Sequence, residues 1–517
     1  MKRIVSILSM AALLAVLVPA CNKTTPEKTD EGKDDSGKVD PNPTPTPATK
    51  ADYTILYYGI GGGNLDIGDE DTIKNMAQAL DGENCNVRII TQYKYSTKEG
   101  VAKKEKQKNF KISGEPGTVY RYEITPSIIA PKGSDHYLTL PKDTKIAGAD
   151  YKMYAPENIS SFIKYAVEKA PASQYLFFVT GHGDGYDLAA DIPLTKTTAT
   201  DENFEDNPGI SMYQLKEGIR QSGVQFALLG YQSCEMGQIE VISELQGAAS
   251  YIMASGHTIS DFGYKDMIEA MRDGDPFKTV LEDLARGSLN ENLPQKGGNA
   301  NFHITDMNKL PAFLATLKDI TTYLCANKLD NEKGYLAAAA KTYQYDEEEN
   351  KFDLYDYLYF LGKEVYSKDQ NYLNLLEKVK KALDQAQPIH FNSLECKGDD
   401  YYENLSYSVC MGAQGYLVDY IDKGRKQQAI DKNGNTYSLV NNVVDTSKPI
   451  KTDANKAWDK TYSLTTFDKT VGWSKWFAVN PAFPRNNPPF YIYQTPDEPV
   501  DDEDDEEEGD EGDEGDE

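Results

Sequence analysis

The chain is 517 residues long, 39% hydrophobic, and carries 82 acidic against 54 basic side chains, a formal net charge of −28. An excess of that sign repels phosphate backbones and excludes nucleic acid as a principal partner. Positions 501–517 hold fourteen acidic residues and three glycines, half of the whole excess. Like charges at that density repel one another and bury nothing, so 496–517 is expected to be a disordered acidic tail.

At the other end, Lys2 and Arg3 precede an apolar run over residues 4–18, closed by Pro19, Ala20 and Cys21. The run is too short to span a bilayer and has the basic flank of a secretory signal, expected over 1–20. Ala20-Cys21 resembles the lipobox of bacterial lipoproteins, which implies cleavage before Cys21 and lipidation of its thiol. An ordinary signal peptide is the alternative. Residues 22–50 are mostly Lys, Asp, Glu, Thr and Pro, with Pro41, Pro43, Pro45 and Pro47 at alternate positions. That composition cannot build a core, so 21–50 reads as an anchor cysteine and an extended tether. The expected location is the cell envelope, at the outer membrane or cell surface, with membrane contact through Cys21.

The first half of the remaining chain alternates strands and helices. Residues 54–58 read as a strand, followed by a turn at Gly61-Gly62-Gly63-Asn64, a helix over 71–80 and a strand over 87–93. A further strand is expected over 119–124. Pro156 opens an amphipathic helix in which Ile159, Phe162, Ile163, Ala166 and Val167 share one face. A strand over 175–180 leads into Gly181-His182-Gly183. Ser211 is placed to cap a helix carrying Met212, Leu215 and Ile219. Next come a strand over 224–229 and Gly230-Tyr231-Gln232-Ser233-Cys234, then a helix around Ile239, Ile242 and Leu245, and a strand over 251–254. Repetition of this kind predicts a parallel sheet covered on both faces. Beyond it, helical periodicity appears at 279–285, 354–361 and 373–383, with strand-like pieces at 401–409 and 415–421. The expected division is a catalytic domain over 51–290 and a C-terminal α+β lobe over 291–495. The glycine cluster at 61–63 matches no phosphate-loop pattern.

His182 and Cys234 carry the chemistry. Each follows an apolar strand, and reactive groups of an open parallel sheet gather where the strands end. A neutral thiol needs a base to become a nucleophile, and an imidazole can take that proton and pass it to a leaving amine. The backbone N–H groups of Gly183 and Cys234 are the natural oxyanion donors. Alone, either residue reads as ordinary core; as a pair 52 positions apart in matching contexts they read as a catalytic dyad. Cys21 and Cys234 leave Cys85, Cys325, Cys396 and Cys410, which allow three disulfide pairings or none. No spacing suits a structural zinc, and no cofactor or metal is expected, Asp201, Glu202 and Asp206 offering at most a weak cation site.

Several segments resemble the clostripain family of cysteine peptidases: residues 54–66, 162–183, 254–264 and the block Gln232-Ser233-Cys234-Glu235-Met236-Gly237, with weaker likeness at 352–357 and 462–477. The resemblance implies a caspase-like α/β/α sandwich, His182 and Cys234 as catalytic dyad, and a peptide or protein substrate handled by a monomer. It also implies a substrate-binding role for positions 232, 255 and 261. Family members usually carry aspartate two residues before the cysteine, where it favours Arg or Lys at P1; this chain has Gln232. Ser255-Gly256-His257 replaces the usual Ser-Glu-Glu, while Asp261 remains. Self-cleavage in the loop over 189–209 is common in the family and makes Lys196 the candidate processing site. The rival expectation is a weakly active or inactive surface binding lipoprotein that kept the fold.

Overall fold

The computed structural model describes residues 50–80, 86–97, 110–183, 185, 197–204, 207–292, 300–346, 351–392, 405–410, 418–421, 426–430, 436–440, 443–450, 462 and 464–480. In chain order the strands are β1 (Ala51–Ile60), β2 (Val87–Lys94), β3 (Val119–Ile124), β4 (Lys145–Ala147), β5 (Ala172–Thr180), β6 (Thr197–Thr198), β7 (Ile210–Ser211), β8 (Phe226–Gln232), β9 (Ala249–Ala254) and β10 (Asn301–Asp306). They continue with β11 (Gln344–Asp346), β12 (Lys351–Asp353), β13 (Ile389–Asn392) and β14 (Ser408–Cys410), then β15 (Val418–Ile421), β16 (Lys426–Ile430), β17 (Thr436–Val440) and β18 (Val443–Ile450).

Nine of these strands form one sheet in the order β13-β10-β9-β8-β5-β1-β2-β3-β4. Its centre, β9-β8-β5-β1-β2, is parallel throughout. Antiparallel pairs close both flanks. Leu56, Tyr58 and Ile60 of β1 enter one apolar cluster, and Ile55 and Tyr57 enter the other. A strand buried on both faces is what a helix-covered parallel sheet requires. Each fully buried Leu, Ile or Phe there is worth roughly 1.5–3 kcal/mol over an exposed one.

The helices Pro156–Lys169 and Met212–Ser222 cover the first face. The first has proline in its opening turn and buries Ile159, Phe162, Ile163 and Ala166. The second begins in a capping box: Ser211 Oγ accepts the N–H of Gln214 (3.2 Å), and the Gln214 side chain accepts the N–H of Ser211 (2.9 Å). Helix α1 (Asp66–Ala79) and the helices Tyr264–Asp273 and Phe277–Asn292 cover the second face. α1 starts five residues before the expected 71, because the Leu65 carbonyl accepts the N–H of Asp69 and the buried Asp66 carboxylate accepts the N–H of Ser96. β8 likewise runs on to Gln232, beyond the expected 229, since its ladder with β5 continues to the pair Thr180↔Gln232.

The sheet does not stop at residue 290: β10 and β13 extend it by two antiparallel strands. Further on, β11, β12 and β14 form a small antiparallel sheet, and β15–β18 form a meander. The helix Leu310–Ala326 packs into the first cluster through Phe313, Leu314, Leu317 and Ile320. The fold is thus an α/β sandwich with an α+β portion after it. Chain order reverses at β1, with β2 on one side and β5, β8 and β9 on the other. The carboxyl ends of β1 and β5 flank that switch point, where ligands of open α/β sheets bind.

Candidate active site

Three loops meet at the switch point: Gly61-Gly62-Gly63 after β1, Gly181-His182-Gly183 after β5, and Ser233-Cys234 after β8. The β5–β8 ladder sets Thr180 beside Gln232, so His182 and Cys234 each stand two residues past a matched pair. Gly181 N–H still donates to the Gln232 carbonyl (3.4 Å). A methyl group on Gly183 would lie 3.0 Å from the Cys234 nitrogen and 2.5 Å from its carbonyl oxygen. Only glycine permits so close an approach of the two backbones.

His182 Nε2 lies 2.8 Å from the Gly62 carbonyl oxygen. A carbonyl only accepts, so this nitrogen carries the proton and the neutral ring keeps its lone pair on Nδ1. Gly62 has φ +48°, and a methyl there would come within 2.8 Å of the imidazole Cδ2. Cys234 is partly exposed; its sulfur lies 3.4 Å from the donating N–H of Ile259 and 3.6 Å from that residue's carbonyl oxygen.

The segment after His182 is held down separately. The His182 carbonyl accepts the N–H of Ala199 (2.6 Å), Gly183 bridges to Thr198, and Thr198 and Ser233 share a hydroxyl contact of 2.5 Å. The fully buried Lys94 ammonium donates to Asp201 Oδ2 (2.7 Å) and to the carbonyls of Ala149 (2.7 Å) and Tyr151 (2.8 Å). Glu202 accepts from Thr97 N–H (2.6 Å) and hydroxyl (2.9 Å). Asp201 and Glu202 are therefore committed to protein partners. Asp206, Lys196, Cys21, Cys85 and Cys396 lie outside the described residues.

Beneath these loops is a buried acidic cluster of which sequence reasoning named Asp261 but missed Asp66 and Asp69. Gln232 Oε1 accepts the hydroxyl of Tyr264 (2.9 Å) and a longer contact from Tyr57 (3.5 Å). The Tyr57 hydroxyl also reaches Asp69 Oδ1 (3.4 Å), which accepts from Thr180 (3.1 Å), while Asp69 Oδ2 accepts from Tyr93 (2.7 Å). Asp261 accepts the Thr72 hydroxyl (3.0 Å) and the N–H of Phe262 (2.7 Å). Burial pushes Asp69 and Asp261 up to about 7 and Asp66 up to about 6, against the lowering effect of their hydrogen-bond donors. Among the described residues no cation forms an ion pair with any of the three. The signal that could have exposed the cluster is Asp66 and Asp69 in one helical turn, set against tyrosines at the ends of β1 and β2. Ser255 is fully buried, with its hydroxyl accepting the N–H of His257 (3.0 Å) and its carbonyl the N–H of Gly237 (2.6 Å), so both its oxygens are committed to protein partners. Burial holds His257 neutral, down at about 4, with Nε2 3.1 Å from the Tyr343 hydroxyl.

A helix-sandwiched parallel sheet with an imidazole and a thiol at matched strand ends places the chain in the caspase-like class of α/β folds. The profile of the clostripain family matches residues 70–475, and the chain belongs to that family: it is a cysteine peptidase, a hydrolase of peptide bonds. A secreted C11 cysteine protease from Bacteroides thetaiotaomicron, "iotapain", is similar in structure at 15% identity, covering 70% of this chain and 94% of that one, with a TM-score of 0.50. The structure of a secreted C11 cysteine protease from the same organism with an irreversible peptide inhibitor gives 14% identity, 82% and 99% coverage and a TM-score of 0.49. An inactive zymogen C11 protease from Parabacteroides distasonis gives 14%, the same coverage and 0.47. At such identities the first likeness establishes a shared fold. No curated protein matches the chain. Among the described residues, no helix is long and apolar enough to cross a membrane.

Proposed function

We propose that this peptidase works through Cys234 as nucleophile and His182 as general acid and base. The observation that carries the reading is the register Thr180↔Gln232, which brings Gly183 against the Cys234 backbone while Gly62 fixes the imidazole. The Cys234 thiol gives its proton to His182 Nδ1, and the sulfur attacks the scissile carbonyl carbon. The resulting oxyanion is held by the N–H groups of Gly183 and Cys234. His182 then protonates the leaving amine, the C–N bond breaks, and water hydrolyses the thioester.

The signal over 1–20, the lipid on Cys21 and the tether over 21–50 make it an exported, membrane-anchored monomer. Residues 51–290 carry the chemistry, 291–495 support them, and cleavage after Lys196 matures the chain. With Gln232 in place of a carboxylate, basic P1 side chains depend on Asp69 and Asp261 below. Both carboxyls gain charge as pH rises through about 7, so selectivity for Arg or Lys at P1 rises across that range. Strong Arg/Lys selectivity unchanged between pH 5.5 and 8.5 would contradict this dependence.

The dyad is tested with an acyloxymethyl ketone probe. Wild type is expected to label at Cys234, Cys234→Ala not at all, and His182→Ala with most reactivity lost. Labelling that survives Cys234→Ala sinks the assignment. Lipidation is tested by loss of acyl-chain incorporation in Cys21→Ser.

A further inference from the structure

We infer that Lys351, on β12 of the small antiparallel sheet, is a positioning residue for the Cys234 nucleophile, acting through Glu235. The inference rests on the reading of Cys234 as nucleophile. Glu235 follows the cysteine directly and has φ +60°, the left-handed region that side-chain-bearing residues rarely adopt. A conformation of that kind persists only where its surroundings hold it. Here the Glu235 N–H donates to the His257 carbonyl (3.1 Å), and its carboxylate pairs with the Lys351 ammonium. The Lys351 side chain is 1% exposed and that of Glu235 11%, so the pair is shielded from water. The turn after the nucleophile is therefore clamped by a charge arriving 116 positions later in the chain.

The same small sheet grips the rest of the segment after Cys234 and also the second loop that meets the sulfur. Gln238 forms a parallel bridge to Ser408 of β14. Tyr345 of β11 lies against Gly256, where a methyl would sit 2.6 Å from its ring, and its centroid is 4.9 Å from that of His257. The Tyr343 hydroxyl contacts His257 Nε2 at 3.1 Å. Residues 255–259 end at Ile259, whose N–H points at Cys234 sulfur from 3.4 Å. Both the backbone turn and the sulfur's own donor thus hang on β11, β12 and β14. Among the described residues, Lys351 is the one charged link between that sheet and the residue next to the thiol.

The test compares Lys351→Met, Lys351→Met/Glu235→Gln and Lys351→Met/Glu235→Gly in the full chain. Readouts are the iodoacetamide alkylation rate at Cys234, kcat and KM on a peptide substrate, and the melting temperature. Glycine adopts φ +60° unaided, so it restores the turn without the ion pair. Lys351→Met and the Gln double variant are expected to lose about tenfold to a hundredfold in kcat and in alkylation. KM should move less than about threefold, and the Gly double variant should recover most of the loss. A Gln double variant that is folded and as reactive as wild type overturns the proposal. So does a Gly double variant that melts like wild type yet stays as slow as the Gln one. Should Lys351→Met fail to fold, the two double variants, in which both members of the pair are uncharged, decide the matter. A wild type that is itself unreactive at Cys234 sinks the dyad reading and this inference with it, whereas a reactive wild type with unaffected variants sinks only this inference.

Discussion

The segment after His182 and the segment after Cys234 are each fastened by a buried lysine–carboxylate pair, yet the two fastenings differ in origin. Lys94 belongs to the parallel sheet itself, at the end of β2, and all its described partners are local to that sheet's rim. Burial pulls this lysine below its usual range, and Asp201 works against that. Lys351 comes from a separate small sheet and reaches a residue in left-handed backbone beside Cys234. One pair secures a long excursion of the chain; the other secures a single turn. Losing the first should mainly cost stability, and losing the second should mainly cost turnover.

The sharpest contrast with the Lys351 variants is Lys94→Met. It leaves Asp201 fully buried without its cation, and breaking such a pair costs about 3–5 kcal/mol. Denaturant unfolding should show that loss, while the folded fraction keeps most of its kcat, because Gly62 still holds the imidazole. A collapse of kcat at unchanged stability would erase the distinction between the two fastenings. Lys94→Met/Asp201→Asn should regain much of the stability, since no lone charge is then buried.

Gly183→Ala strikes where the two segments touch. Its methyl would press on the Cys234 nitrogen and carbonyl, so kcat should fall by about 10²–10³, the usual cost of losing one oxyanion donor. Normal turnover in this variant would mean that the two backbones part easily.

The acidic cluster under Gln232 gives a smaller, pH-dependent effect. The buried Asp69 keeps its proton up to about 7, whereas in the unfolded chain it is lost near ~3.9. Its contribution to stability is therefore full at low pH and disappears as pH rises through about 7. Asp69→Asn should flatten the fall in melting temperature between pH 5.5 and 8.0 by ~2–4 °C. An unchanged slope would show that Asp69 does not titrate in that range.

Smallest is Ser211→Ala, which removes one half of the capping box on Met212–Ser222 and should cost about 1 kcal/mol with no change in kcat. A measurable drop in turnover there would tie the cap, at the far end of the Thr197–Ser211 pairing, to the His182 segment.

Much of the sheet was legible because its signals are local. Apolar runs ending in glycine marked β1, β5 and β8, Pro156 and the 3.6-residue period marked a helix, and Ser211 marked a cap. His182 and Cys234 stood out for the same reason, each at a strand end in a distinctive context. The two antiparallel strands β10 and β13, the clamp from Lys351, and the meeting of Asp69, Tyr57 and Gln232 left no comparable trace. Glu235 and Lys351 are 116 positions apart, and Tyr57 and Gln232 are 175 apart. Pairings of that range have no period and no fixed spacing.

By itself the sequence determined the alternation of strands and helices, the family, and the two side chains proposed here to carry the chemistry, because periodicity, caps and glycine turns are properties of neighbouring residues. Only the tertiary structure decided the register that aligns the two strand ends, the buried carboxylates beneath the crevice, and which distant lysine holds the turn beside the sulfur. Those depend on how separate segments exclude water together, and burial, unlike propensity, is not a property any short stretch of chain possesses alone.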